Sequence, residues 1–362
     1  MGAAIAALNS QQQEAQRLER VERKVFKDPD NAFDISDRKF IKIFRLSKNT
    51  VMNLTDDIEH CFPPGGIPPH LRVLAALRFY GTGSYQESVA GDEYIRLSQK
   101  SVSRCIHDVS SAISSEVMPR QIRFPSTEEQ EQIKRRVYLK HNFPGVIGTI
   151  DCTHVRIVAP AEDSTEIRQM SFFSRKGFHS LNVQLIADDS LLIRSANARY
   201  PGSVHDSFIW KNCIVRSHLT SLRNQGRRNF WLLGDSGYPL EPWLLTPHAN
   251  PDENSREERF NRRFCTIRSG VERCNGVLKG RFRCLIKDRA LHYEPEVAAN
   301  IVYACATLHN ICIRQKIPLL DPEQPDDRRE EEDDKPEPDD SAYAASLFNI
   351  GKKIRDSITL RF

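Results

Sequence analysis

The sequence predicts an α/β fold, a mixed β-sheet flanked by helices, preceded by an all-α N-terminal region. Two observations carry this. From residue 143, β-branched runs ("GVIGTIDCTHVRIVAP", "HSLNVQLIAD", "LLIRSANAR") are followed by alternating helical and strand-like stretches, the rhythm of a layered α/β domain. Upstream of it, apolar residues recur at helical spacing.

The elements follow in order. Residues 1–36 read as a charged N-terminal helix or tail. Phe40, Ile43, Phe44, Leu46, Val51 and Leu54 predict one or two amphipathic helices over 37–60. "PPGGIPP" then breaks the chain, and Pro68 and Pro69 start the helix "HLRVLAALRFYG". In "LSQKSVSRCIHDVSSAISSEV", Val102, Cys105, Ile106, Val109 and Ile113 share one helical face, and Ser98 can cap its start. Short helices ending in this way suggest a helix-turn-helix-like DNA-binding region over 37–120. Gln99, Lys100, Ser103, Arg104 and His107 would line its outward face. A small bundle with a polar face fits that segment equally well.

Residues 121–142 read as a connecting helix, and 143–316 as the α/β core. After its three strands come the helix "HDSFIWKNCIVRSHL", the strands "NFWLLGD" and "PWLLTP", and two long helices, "ERFNRRFCTIRSGVERCNGVLKGRFRCL" and "PEVAANIVYACATLHNICIRQ". Residues 317–345 hold a Pro-studded acidic run expected to be disordered, and 346–362 form a C-terminal tail.

Composition narrows the class. Of 362 residues 39% are hydrophobic and 28% charged, and no window approaches eighteen uninterrupted apolar residues, so no membrane span is expected. The opening "MGAAIAALNSQQQEAQ" has too short an apolar run for a secretory signal. Nine cysteines without a CxxC pair suit free thiols in a reducing compartment. Residues 321–340 carry twelve acids and three bases, a balance of −9, whereas the whole chain is +4. The remainder therefore carries +13, a charge suited to a polyanionic partner.

"LLGDSGY" contains the four letters that surround the nucleophile of trypsin-like serine proteases. The body is not all-β, however, and the lipase pattern Gly-x-Ser-x-Gly is absent, so Ser236 reads as a turn residue. Asp235 is the more informative group, because it follows an apolar strand, where open α/β sheets place ligands. Asp151, in "GTIDCTH", sits inside a predicted buried strand, where a carboxylate must be paired or must hold a cation. Cys152 and His154 fall on the opposite face of that strand from Asp151 and Thr153. Glu272 shares its helix face with Arg268, Asn275 and Lys279. Asp151 and Asp235 are 84 residues apart, and Glu272 follows 37 later. Three hard oxygen donors without Cys or His select Mg²⁺ or Mn²⁺ over zinc, and such ions can assist a phosphoryl displacement.

The stretches "FPGVIGTIDCTHVRI", "FFSRKGFHSLNVQLIAD", "YPGSVHDSFIW", "LLGDSGYPLEPWLLTP" and "RSGVERCNGVLKGRFRCL" resemble the Harbinger family of DDE transposases and the nucleases derived from it. They cover roughly residues 140–316 in the family's order. The resemblance implies an RNase H-like catalytic core with an Asp-Asp-Glu triad that maps onto Asp151, Asp235 and Glu272. It also implies a divalent metal cation, Mg²⁺ or Mn²⁺, and DNA as the substrate. Asp206, in "PGSVHDS", matches the pattern as a further metal candidate, although an acid near a helix N-terminus explains it as well. Lys279, Arg281 and Arg283 are expected to contact the DNA backbone. The function so implied is a metal-dependent DNA endonuclease, with strand transfer as an extension; the alternative is a catalytically silent DNA-binding or scaffold protein. A nuclear location (cytoplasm as the alternative), a Myb-like partner protein and self-association are further expectations of the resemblance.

Overall fold

A computed structural model describes residues 30–160, 166–286, 288–319 and 341–362. Most of the expected N-terminal tail and of the acidic segment lies outside the described residues. The chain divides into two units at Val109/Ser110.

The first unit is helical among its described residues: α1 (Asp37–Phe44), α2 (Lys48–Ile58), α3 (Pro69–Thr82), α4 (Gln86–Ala90) and the start of α5 (Gln99–Ala112). Ser36 and Ser47 accept from the backbone N–H groups of Lys39 and Thr50, each satisfying an otherwise orphaned donor at a helix start. Pro68 and Pro69 open α3 as expected. Of the residues expected to be buried, Phe40, Phe44, Leu46, Val51, Leu54, Val102, Cys105 and Ile106 are, whereas Ile43 is half-buried. Ser98 caps α5, taking the Ser101 N–H at 3.2 Å. Lys100, Arg104 and His107 are exposed on that helix.

In the second unit, α6 (Met118–Gln121) and α7 (Thr127–His141) lead into the sheet. Ser126 and Glu129 form a reciprocal capping box at the start of α7. The sheet contains β1 (Val146–Arg156), β2 (Ser180–Ala187), β3 (Ile193–Pro201), β4 (Trp231–Leu233) and β5 (Leu244–Leu245), in the order β3-β2-β1-β4-β5. β1, β2 and β3 are antiparallel neighbours, whereas β4 and β5 run parallel to β1, so the sheet is mixed as predicted. Every residue of β2 is buried, because helices cover both faces. Gly145, at φ 75°, lets the chain enter β1 against the Trp231 ring; a Cβ there would lie 2.2 Å from that ring.

Between β1 and β2 lies the short α8 (Glu166–Ser171). The stretch expected to be a single helix after β3 is two, α9 (Asp206–Lys211) and α10 (Ile214–Asn224). Cys213 is extended between them, and the Asn212 side chain donates to the Phe208 carbonyl, ending α9 from within. These helices bury Ile209, Trp210 and Leu219 against Ile150, Cys152 and Leu232 on one sheet face. Helices α11 (Arg256–Arg281) and α12 (Pro295–Arg314) complete the unit together with α13 (Ala342–Thr359). On the other face, Ile133, Val137, Phe260, Phe264 and Ile267 pack against Val146, Trp231 and Leu233.

The C-terminal residues correct the sequence reading, which made 346–362 a tail. Instead α13 is built into the unit: Leu347 joins one core cluster and Ile358 the other. The Arg355 guanidinium donates to the Pro247 carbonyl at 2.9 Å, and His248 Nε2 lies 2.8 Å from Thr359 Oγ1. Gly351 sits so close to the Glu241 backbone that a Cβ would approach it to 2.9 Å.

By length and apolar composition, α12 is the one described helix that could cross a membrane. Its surface is nevertheless mostly buried inside the unit. Asn310 accepts from the Ile193 N–H at 2.8 Å and donates to the Ile193 and Gln121 carbonyls, tying α12 to the edge strand β3. These are the contacts of a core helix. His309, also fully buried, donates through Nε2 to the Leu191 carbonyl at 2.8 Å. Burial pushes its pKa down to about 4, so the imidazole is neutral in the folded state. The unfolded chain, with a His pKa near 6.5, binds the additional proton between these values, and stability rises with pH across that window. We expect wild-type protein to lose up to about 3 kcal/mol on going from pH 7 to pH 4 through this group. His309→Gln should lose correspondingly less in denaturant melts across the same range.

All nine cysteines are thiols, as expected; Cys61 and Cys265 are exposed.

Candidate active site

Asp151 lies in the middle of β1 and is fully buried. In the parallel β1–β4 ladder Thr149 stands opposite Leu233. Two residues further along each chain are Asp151, still inside β1, and Asp235, which lies beyond the last rung, where the chain leaves β4 for a turn. Beyond β4 the chain turns: the Gly237 N–H donates to Asp235 Oδ1 at 3.0 Å, which orients that carboxylate.

Asp206 is the first residue of α9. Asn182 Nδ2 donates to its Oδ1 at 2.9 Å and to the Val204 carbonyl at 2.8 Å. Asn182 pairs with His154 in the β1–β2 ladder, and so lies on the strand face opposite Asp151. Burial holds the Asp206 carboxyl up at about 6. The Asn182 amide opposes that shift, whereas the charges of Asp235 and Asp151 add to it. The three aspartates are thus electrostatic neighbours. On the same side as Asp206, the Cys152 thiol and the Tyr238 hydroxyl are 3.2 Å apart, and burial pushes both pKa values up.

Glu272 is brought in by α11. One turn after it, Asn275 is buried and donates through Nδ2 to Asp151 Oδ2 at 3.0 Å, fastening the helix to β1. Glu272 is half-buried and its carboxylate pairs with Arg268 at 2.6 Å, one turn earlier. Among the described residues the acidic oxygens are not drawn to one point, since no three of these carboxylates place ligand atoms within 4.8 Å of one another. Asp151 and Asp235 both lie within electrostatic range of Asp206, while Glu272 is held by Arg268.

Like-charged carboxylates, partly desolvated and in mutual range, repel one another, and a divalent cation relieves that repulsion. With oxygen donors and no nitrogen or sulfur among them, Asp151, Asp235 and Glu272 fit Mg²⁺ or Mn²⁺.

Residues 150–310 match the family described as DDE superfamily endonuclease. The chain is 41% identical to a mouse (Mus musculus) protein called "Putative nuclease HARBI1", over 68% of each chain. The human (Homo sapiens) protein of that name is 39% identical over the same shares. The chain belongs to the Harbinger transposase-derived nuclease family. An Arabidopsis thaliana relative, "Protein ALP1-like", is 26% identical over 78% of this chain and 73% of its own. No solved structure matches.

Within this Harbinger-derived chain the other expected site residues fall in different places. Lys279 is buried, with Nζ 3.4 Å from the His154 carbonyl oxygen. Arg281 is buried as well, its guanidinium donating to the Ile317 and Pro318 carbonyls. Both were expected to reach DNA. Their charges instead hold the end of α11 against β1 and against the segment after α12, and Arg283 is half-buried. Ser236 is exposed in the turn after β4. Ser236→Ala should therefore leave any DNA cutting, and the melting temperature, essentially unchanged, as exposed substitutions shift stability by about 0.5 kcal/mol or less. Sequence reasoning passed over Asn182. For Asn182 a signal existed: an amide inside a fully buried strand is as anomalous as Asp151.

Proposed function

We propose that this chain is a divalent-metal-dependent DNA endonuclease in which Asp151, Asp235 and Glu272 are the metal-holding triad. One observation supports the reading above the others: the helix bearing Glu272 is hydrogen-bonded to Asp151, in the strand beside the one that Asp235 follows. Membership of a nuclease family supports it.

Asp151 would hold the metal from the middle of β1 and Asp235 from the turn after β4, with Glu272 swinging from Arg268 to complete the set. Two ions bound there would activate a water or a DNA 3′-hydroxyl and stabilise the departing oxygen of a phosphodiester. Strand transfer is the same displacement with the hydroxyl as nucleophile. The β1–β4 ladder fixes where the turn carrying Asp235 begins, and the Gly237 N–H orients that carboxylate. Asp206, across β1, adds negative charge behind the pair without sharing their strand face. Once released from Glu272, Arg268 is a cation beside the reacting phosphate.

In the first unit, the exposed Lys100 and Arg104 on α5 are our proposed contacts to DNA, in a helix-turn-helix-like role. A nuclear location, a Myb-like partner and self-association belong to the same proposal. The purified chain incubated with labelled DNA and Mn²⁺ should release cut fragments, and chelator should stop the release. Cutting that persists in excess chelator would sink the metal mechanism; absence of cutting on every DNA tested, with Mn²⁺ bound, would favour a silent DNA-binding protein.

A further inference from the structure

Asn275 is not a triad member, yet its place in the fold is unusually constrained. It lies on α11 one turn beyond Glu272, and only 5% of it is exposed. Its Nδ2 donates to Asp151 Oδ2 at 3.0 Å, which is the described side-chain bond joining α11 to the middle of β1. A carboxylate can only accept, so this contact fixes which way the amide faces. The carbonyl end, Oδ1, must then point away from Asp151. It is buried and meets no donor among the described residues. Buried amide oxygens are almost always satisfied by protein or by ordered water, so an exception calls for a partner. The setting of Asn275 limits what that partner is. Glu272 is on the same helix stripe, one turn back, and acids cannot donate to it when ionised. Arg268, on that stripe as well, is engaged by Glu272 through Nη2; its buried Nη1 and the Asn275 carbonyl both lack partners among the described residues, so neither satisfies the other. A water carried on a metal ion is a donor that none of these residues supplies.

We infer that Asn275 is a positioning residue for the metal centre. Its amide N–H group holds one oxygen of Asp151, leaving the rotation of that carboxylate fixed before metal arrives. Its carbonyl accepts from water in the coordination sphere of the ion. Through the same bond it sets the distance between Glu272 and Asp151, because both contacts lie on one turn of a rigid helix. This rests on the metal-dependent reading of Asp151, Asp235 and Glu272 given above. Residues that orient metal ligands in this way are worth about 10–100-fold in metal affinity or activity.

The test uses the full chain and Mn²⁺ alone, with thermal melting as the readout. In wild type, added Mn²⁺ should raise the melting temperature, with a midpoint that reports affinity. Asn275→Leu keeps the branched outline of the side chain, at a larger volume, and removes both of its polar ends. It should melt somewhat below wild type without metal, because Asp151 Oδ2 loses its buried donor, and should also need about 10-fold or more Mn²⁺ for half the shift. With DNA, its kcat should fall by a similar factor while KM is held, because Asn275 touches no nucleic acid. A merely structural role would lower the metal-free melting temperature and leave the Mn²⁺ midpoint alone; that outcome overturns the inference. Asp151→Asn and Asp235→Asn separate the two levels of the argument. If these bind Mn²⁺ as wild type does, the metal reading itself is wrong; if they lose binding while Asn275→Leu keeps it, only the role of Asn275 is lost. Should Asn275→Leu not fold, the wild-type protein still decides. The side-chain amide resonances of Asn275 should shift on adding Mg²⁺, and resonances that stay fixed while Mg²⁺ binds refute the proposal.

Discussion

Asp235→Asn should abolish DNA cutting while leaving the fold intact. The side chain sits in a turn after β4, and an asparagine oxygen can still accept the Gly237 N–H that shapes that turn. What disappears is one negative charge and one strong oxygen donor to a divalent cation. Metal-assisted displacement draws several kcal/mol from charge stabilisation, so the loss should be on the order of 10³-fold in kcat. Asp151→Asn should cost as much in rate. The clearest measurement pairs single-turnover cutting in Mn²⁺ with the melting temperature of each variant. Cutting that survives in Asp235→Asn would remove the aspartate from the chemistry, whatever its position.

The second large effect concerns α13. A chain ending at residue 340 should fail to fold cooperatively in its second unit. Removing α13 uncovers both sheet faces at once, since Leu347 belongs to one cluster and Ile358 to the other. At about 1.5–3 kcal/mol for each large buried side chain, these two alone amount to roughly 3–6 kcal/mol. That is comparable with the total stability of an ordinary domain, about 5–15 kcal/mol. The Arg355 bonds to the Thr246 and Pro247 carbonyls would be lost as well. Gly351→Val is the milder version: its side chain meets the Glu241 backbone, so we expect a lower melting temperature with the helix still formed. A truncated chain that melts like the full one would show that α13 is an ornament.

Much of this architecture was legible because burial leaves a mark on sequence. The strands β1, β2 and β4 announce themselves through apolar, β-branched runs, and Asp151 stands out by violating one. The predicted faces of β1 hold: Cys152 turns to Tyr238 while Asp151 turns to α11. Helix α13 was missed for a physical reason. Its buried positions include a glycine, and its apolar face becomes meaningful only against the loop around Glu241, which is distant in sequence. Lys279 and Arg281 were misread for the opposite reason. A lysine or arginine near a helix end is ordinarily solvated, and the carbonyls of His154, Ile317 and Pro318 that receive these two cannot be seen in a linear chain. The break at Asn212 likewise depends on a local side-chain bond that helical periodicity does not register.

The backbone ladder joining β1 to β4 works as a ruler. It sets the point at which the segment carrying Asp235 leaves the sheet, whatever length of chain is strung between the two acids. Residues can be added or lost in the 84-residue excursion from Asp151 to Asp235 and that exit point is unchanged, provided the Thr149–Leu233 rung survives. One residue slipped inside Trp231–Leu233 would swing Asp235 to the far side of the sheet. Descendants of this chain are therefore free to drift widely in their loops while being held to the residue along three short positions of β4.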